Sequence, residues 1–182
     1  MEARMLPAGP LMAEHRLIER MVSLLIDELL SVSETSEADT SLIEQAVDFF
    51  RVYADNCHHG KEEYILFGQL STKELSAKHR RTMEELIEEH VYARKVVGRL
   101  NNANNSYKEG RKEALNEVRG CLEELVVFYP KHIEKEDEDF FLPCMEYFTP
   151  EEQEKMLGEF FEFDRKLIHD KYRKMVEALE KS

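Results

Sequence analysis

Apolar residues recur every three or four positions in five stretches of the chain, and polar or helix-breaking segments separate these stretches. This spacing predicts amphipathic helices. No stretch alternates apolar and polar residues as a half-buried strand would. We therefore predict an all-α fold, an up-down four-helix bundle with an additional C-terminal helix.

Local signals predict where these helices begin. Ser41 and Ser71 are each followed three residues later by a glutamate, which resembles a capping box and predicts the second and third helix starts. The asparagine-rich segment 101–106 predicts the connection to the fourth helix. Thr149 and Pro150, followed by two glutamates, predict the start of the fifth. The predicted helices cover about residues 10–30, 41 to 67 or 70, 71–100, 107–142 and 150–179.

These helices divide into two predicted units. Residues 10–145 form the bundle, and residues 149–181 form a C-terminal helix that packs on the bundle or makes a dimer contact. At 182 residues the chain is long enough for one domain with a full core.

Composition excludes several classes of partner. The net charge of −13 argues against nucleic acid, because a polyanion would be repelled. Three cysteines without paired spacing are typical of a reducing compartment. Met1–Pro10 lacks the apolar core of a signal peptide, and no apolar run approaches the length of a membrane span. We expect a soluble cytoplasmic protein without nucleic-acid or membrane partners, with a homodimer as an alternative to a monomer.

A set of metal-ligand residue types occurs twice in the chain. The pair Glu14-His15 recurs 75 positions later, and a histidine followed four residues on by a glutamate, at His58 and Glu62, recurs 74 positions later. Within each half, 43 or 42 positions separate the two histidines, which fits two helices and a connection. The repeated unit is therefore a predicted helical hairpin that carries two histidines and one glutamate.

Helical spacing predicts that the four repeated histidines lie on largely apolar faces of four different helices. His59 shares its face with Asp48, Arg51 and Asp55, which predicts a solvated position and favours His58 as the ligand. A single histidine on an apolar face is usually a core residue. Four together, two with a glutamate one turn on, favour a metal centre, because buried carboxylates are costly unless paired or metal-bound. The main alternative is a polar network in which Arg94 neutralises a glutamate.

The donor types restrict the metal. Imidazole and carboxylate suit iron, manganese or zinc. Six donors are too many for one tetrahedral zinc ion, whereas two carboxylates on facing helices could each bridge two ions. We predict two non-haem iron ions, with zinc or manganese as alternatives. The predicted ligands are His15, His58, Glu62, His90, His132 and Glu136.

The motifs resemble those of the hemerythrin-like (HHE) cation-binding family. Residues 58–63 are similar to the signature of its second helix and residues 132–137 to that of its fourth, while Glu14-His15 and Glu89-His90 match its first and third helices. The resemblance covers about residues 10–145. It implies a bundle around a di-iron centre bridged by an oxo or hydroxo group and two carboxylates.

The chain departs from the oxygen-carrying members of that family. Those carry a second histidine one turn from the first on the third helix, where this chain has Leu86 and Arg94. Asp137 keeps the spacing after His132 that the carriers use, whereas the internal repeat favours Glu136. The resulting set is similar to the four-histidine, two-glutamate sites of members linked to iron–sulfur cluster repair, nitric oxide response, and iron or oxygen sensing. This resemblance argues against reversible oxygen transport.

Three functions are compatible with these residues. The first is a di-iron protein that binds or senses oxygen or nitric oxide. The second is an enzyme of nitric oxide or peroxide detoxification or of iron–sulfur cluster repair, whose catalytic residues the sequence does not identify. The third is a structural or interaction bundle with zinc or no metal.

Overall fold

Long helical rods dominate the computed structural model, which describes residues 6–179 and the side chains of residues 6–167. Every regular element within that range is helical, which confirms the predicted all-α class. The first and third rods are α1 and α4. The second, at 40–70, and the fourth, at 115–144, contain both α- and π-helical turns. The elements are α1 (Ala8–Thr35), α2 (Thr40–Phe49), π-helices at Phe50–His59 and Glu62–Leu66, α3 (Phe67–Leu70), α4 (Ala77–Lys108), a 3₁₀ turn (Lys112–Ala114), α5 (Leu115–Glu134), a π-helix (Lys135–Phe140), α6 (Phe141–Cys144), a 3₁₀ turn (Met145–Tyr147) and α7 (Pro150–Leu179).

Two of the predicted helix starts are displaced. Asp39, not Ser41, caps the second rod, and its carboxylate accepts hydrogen bonds from the amides of Ser41 and Leu42. The third rod begins after Ser76, five residues beyond the predicted Ser71, and the Ser76 hydroxyl accepts from the His79 amide. At each helix start, both the predicted and the observed residue are of a type that can cap a helix, and these hydrogen bonds show which one does so. The predicted start at Thr149 is correct: its hydroxyl and Glu152 form a capping box.

The asparagine-rich segment 101–106 is helical, so the prediction of a connection there was wrong. The third rod continues through it to Lys108. Asn104 is buried, and its side-chain amide donates to the carbonyl of Thr40 at 2.9 Å. A tertiary contact of this kind overrides the weak helix propensity of asparagine.

The core is divided into two apolar layers. One layer contains Leu25 and Leu125, and the other contains Leu11 and Phe140. On the rods, the repeated histidines fall between residues of one layer and residues of the other. The predicted ligands therefore form a buried polar layer between two apolar ones.

The fifth helix, α7, packs against the second rod. A Cβ atom at Gly60 would lie 2.7 Å from the ring of Phe163, so the absence of a side chain at position 60 permits this close contact. The predicted apolar face of α7 included Ile168, and His169 was expected to face solvent; both side chains lie outside the described residues. Among the helices that the structure describes, none combines the length and apolar character needed to cross a membrane.

Candidate metal centre

Four rods each contribute one of the predicted histidine ligands to a single buried polar layer. His15, His58, His90 and His132 are all at most 2% exposed. Glu62 and Glu136, on the second and fourth rods, are completely buried beside them. The structure thus brings together all six residues that the sequence repeat singled out.

Glu136 lies between two pairs of histidines. Its Oε2 is 3.1 Å from Nε2 of His15. Its Oε1 is 3.4 Å from Nε2 of His132 and 3.6 Å from Nε2 of His90. One carboxylate therefore presents one oxygen to each side of the cluster.

Glu62 repeats this arrangement from the opposite rod. Its Oε1 is 3.3 Å from Nε2 of His58, and its Oε2 is 3.3 Å from Nε2 of His90. The cluster therefore has two sides, a His15/His58 side and a His90/His132 side, and both carboxylates span them. The donor atoms of His15, His58, Glu62 and Glu136 lie within 4.8 Å of one another, as metal ligands would.

Six of the eight inner donor atoms lack hydrogen bonds, whereas Nε2 of His15 and Nε2 of His58 lie 2.8 Å from each other. Both carboxylate oxygens of Glu62 and Glu136, and Nε2 of His90 and His132, are buried without a hydrogen-bond partner. Buried polar atoms without partners are rare and costly, and carboxylates most of all. Cations between the two glutamates would satisfy these atoms, so the residues present fit a metal centre.

An outer carboxylate orients each of these four histidines. Nδ1 of each ring lies within hydrogen-bond distance of an acidic side chain, which turns Nε2 toward the interior. A cation in turn pairs with each outer carboxylate. The four sets are His15–Asp137–Arg16, His58–Glu14–Lys61, His90–Glu63–Arg94 and His132–Glu89–Lys135, with Nδ1-to-oxygen distances of 2.7, 2.9, 2.7 and 2.8 Å.

These outer contacts bear on two alternatives left open by the sequence. Asp137 lies on the outer side of His15 and pairs with Arg16, whereas Glu136 faces inward. Arg94 binds Asp55 and Glu63, at 2.6 Å each, instead of reaching an inner glutamate. The geometry therefore favours Glu136 over Asp137 as the inner carboxylate. It does not favour the alternative in which Arg94 neutralises Glu62.

The electrostatics of the layer favour positive charge at its centre. Burial opposes charge on His15, but Asp137 and Glu136 raise the pKa of His15 to about 10. Burial likewise opposes charge on His90, whose pKa is raised to about 11 by Glu136, Glu62 and Glu63. Burial would raise the pKa of Glu136, yet the neighbouring histidines hold it well below its usual range. The paired carboxylates thus attract cations, whether protons or metal ions.

Among the histidines of the polar layer, His59 is the one whose position the sequence predicted wrongly. It is 1% exposed, not solvated, and its ring stacks on that of His90 with centroids 3.9 Å apart. The prediction assumed α-helical spacing, whereas residues 50–59 are π-helical, and the wider turn changes which side chains share a face. Burial and the neighbouring histidines hold the pKa of His59 well below its usual range. His59, His90 and His132 each place one ring nitrogen within 4.8 Å of the other two.

The outer residues Lys61 and Lys135 were also missed, although the sequence carried a signal for them. They are 74 positions apart, the same interval as His58 and His132. Extending the repeat from the histidines to the charged residues beside them would have identified both.

Comparison with known families identifies the family of this chain. The sequence pattern of the hemerythrin HHE cation binding domain matches residues 7–142. The chain belongs to this family. No curated protein and no solved structure gave a significant match. The hemerythrin HHE match ends before α7, yet Asp164 of α7 contacts Lys61 at 2.9 Å and so adjoins the outer shell of His58.

Proposed function

We propose that this hemerythrin HHE protein binds two non-haem iron ions and binds or senses oxygen or nitric oxide. The ligands in this proposal are His15, His58, Glu62, His90, His132 and Glu136. Zinc or manganese is the alternative metal. Bound iron would supply coordination positions for a diatomic ligand, and this chain's residues would hold the ions and exclude bulk water.

The observation that carries the proposal is the pair of carboxylates that each face both histidine pairs. In a site for a single ion, the oxygens of a carboxylate would need to face only one of the two histidine pairs. Here Glu62 and Glu136 each extend one oxygen to either side, at 3.1–3.6 Å from the histidine nitrogens. Nitrogen and oxygen donors without thiolates favour iron, manganese or zinc over softer metals.

A binding or sensing role is favoured over thiol-dependent enzymatic chemistry. The three cysteines are free. Burial raises the pKa of Cys121 and of Cys144 to about 12, the opposite of what a reactive thiol needs. Free thiols also support a reducing cellular compartment, which we propose to be the cytoplasm.

Metal analysis and spectroscopy test the proposal. Protein purified without added metal, or reconstituted with ferrous iron, is expected to hold two irons per chain. Its absorption spectrum in air should contain visible bands that disappear on reduction, and nitric oxide should perturb the reduced form. One tightly bound zinc per chain, or full folding with no metal uptake, would refute it.

A further inference from the structure

A cavity of about 230 Å³ lies beside the His90/His132 side of the cluster. The second, third and fourth rods form its walls, and His59 is part of its lining. Half of the lining residues are apolar or aromatic, and the others are His59, the exposed Arg51 and an ion pair between Asp55 and Arg94. The lining residues used below are Phe50, Asp55, His59, Arg94, Val97 and Tyr129.

His59 is held differently from the other four histidines. Its Nδ1 is buried without a hydrogen-bond partner. Asp55 Oδ1 is 3.5 Å from this nitrogen and also pairs with Arg94 at 2.6 Å. Metal-ligating histidines almost always donate their second ring nitrogen to a fixed acceptor. His59 lacks the anchor that its four neighbours share.

The orientation of the His59 ring also argues against a fifth ligand. It is nearly parallel to the ring of His90, with an interplanar angle of 11° and centroids 3.9 Å apart. The nitrogen lone pairs of an imidazole lie in its ring plane, so those of two stacked rings lie in nearly parallel planes, whereas two ligands of one ion must converge on it. His59 is therefore a polar residue of the cavity wall, adjacent to the centre.

The cavity suits a small neutral molecule. The charge of Arg94 is balanced by Asp55 and Glu63. The other lining cation, Arg51, is exposed, so water and salt screen its attraction for an anion. Phe50 and Tyr129 stack on each other and supply an apolar wall. The volume accommodates a diatomic molecule together with a few waters, since each water occupies about 30 Å³.

The opposite side of the cluster is more closely covered. The ring of His15 stacks on Phe141 with centroids 5.6 Å apart. Behind His58, Glu14 and Lys61 are joined to Asp164 of α7. A small molecule therefore has a better route from the His59 cavity than through the His15/His58 side.

We propose that His59 is a ligand-positioning residue, which hydrogen-bonds a small neutral molecule of the oxygen or nitric oxide class that arrives through this cavity at the His90/His132 side. The inference rests on the proposed function. It adds the route and the residue that recognises the ligand.

The test uses the full chain loaded with ferrous iron, with nitric oxide as the probe in stopped-flow measurements. His59→Phe keeps a ring to stack on His90 but removes the hydrogen bond. We expect two irons per chain, an unchanged spectrum without nitric oxide, and nitric oxide dissociation roughly 3- to 10-fold faster, the range of one hydrogen bond. His59→Gln, which restores a donor, should return the rate toward wild type.

A second pair of variants tests the route. Val97→Phe places a ring in the cavity and should slow nitric oxide association without loss of iron. Val127→Phe places the same ring in a surface groove lined by Glu89, His132 and Lys135, another opening next to the His90/His132 side, and should leave the association rate unchanged if the ligand uses the His59 cavity. Thermal unfolding establishes that both variants are folded.

The outcomes separate the two proposals. Wild-type chain that takes up no iron refutes the proposed function and this inference together. If wild type holds two irons but His59→Phe holds fewer, His59 is a metal ligand and the inference is wrong. Unchanged nitric oxide dissociation in iron-loaded His59→Phe likewise overturns it.

Discussion

The two halves of the sequence repeat build the same contacts in different surroundings. In the first half, Lys61 pairs with Glu14 behind His58 and is 1% exposed. In the second, Lys135 pairs with Glu89 behind His132 and is 29% exposed. The difference comes from α7, which supplies Asp164 as the second acid for Lys61, whereas the second acid of Lys135 is Glu85 of α4. On the other side an open groove lined by Glu89, His132 and Lys135 takes its place. Identical motifs therefore need not contribute equally to stability.

The largest expected effect tests what the halves share. Glu62→Ala and Glu136→Ala should each abolish binding of both irons, because each carboxylate faces both histidine pairs. Iron per chain after reconstitution and desalting measures this. Glu134→Ala, at an exposed position two residues from Glu136, is the control and should retain two. Loss of one ion from one variant and the other ion from the second would show that the carboxylates serve separate sites.

The next effect should break the symmetry. Lys61→Met leaves Glu14 and Asp164 without their buried cation and should cost about 1–3 kcal/mol of unfolding free energy, because Asp164 is partly exposed and Glu14 keeps its contact with His58. Lys135→Met removes a half-buried partner of Glu89 and should cost under about 1 kcal/mol. Urea unfolding of the metal-free proteins gives both values. Equal losses in the two variants would mean that α7 does not distinguish the halves.

A smaller and symmetric effect is expected at the outer carboxylates. Glu14→Gln and Glu89→Gln weaken the acceptors that orient His58 and His132. Each should lower iron affinity about 10- to 100-fold, the usual result of disturbing residues behind a ligand. Competition with a chromophoric chelator measures the affinity. Glu88→Gln, at an exposed neighbouring position, controls for the change in net charge. An effect confined to one half would contradict the equivalence of the two pairs.

The smallest effect concerns α7 itself. Asp164→Asn keeps the shape of the side chain but removes one of two negative charges next to Lys61. Because Asp164 is partly exposed and Glu14 still pairs with Lys61, we expect a loss of about 1 kcal/mol in unfolding free energy. Iron content should stay at two per chain. A loss as large as that of Lys61→Met would assign most of the stabilisation to α7.

Local sequence patterns predicted the all-α fold and the residues that the fold brings together, for physical reasons that particular residues illustrate. Helical periodicity fixes which face of α1 is buried, so His15 could be placed from its neighbours alone. The repeat distance then paired His58 with Glu62 without knowledge of the packing. The end of α4 could not be predicted in this way, because it depends on the contact between Asn104 and Thr40, 64 positions apart.

His59 shows a second limit of sequence reasoning. Its burial depends on π-helical turns, and a fixed α-helical angle per residue assigns it to the wrong face. The choice of Asp39 over Ser41 as a cap is similar, since both residues are good caps and the fold decides between them. Patterns that repeat along the chain were thus predictable, whereas local departures from regular helix were not.

Gly60 carries a consequence for the asymmetry of the molecule. The residue 74 positions later is Glu134, so the surface that admits the Phe163 ring in one half bears a long charged side chain in the other. A helix that packed on the fourth rod in the way α7 packs on the second could not approach as closely unless that glutamate moved aside. The absence of a side chain at Gly60 thus determines which half of the duplicated bundle α7 packs against.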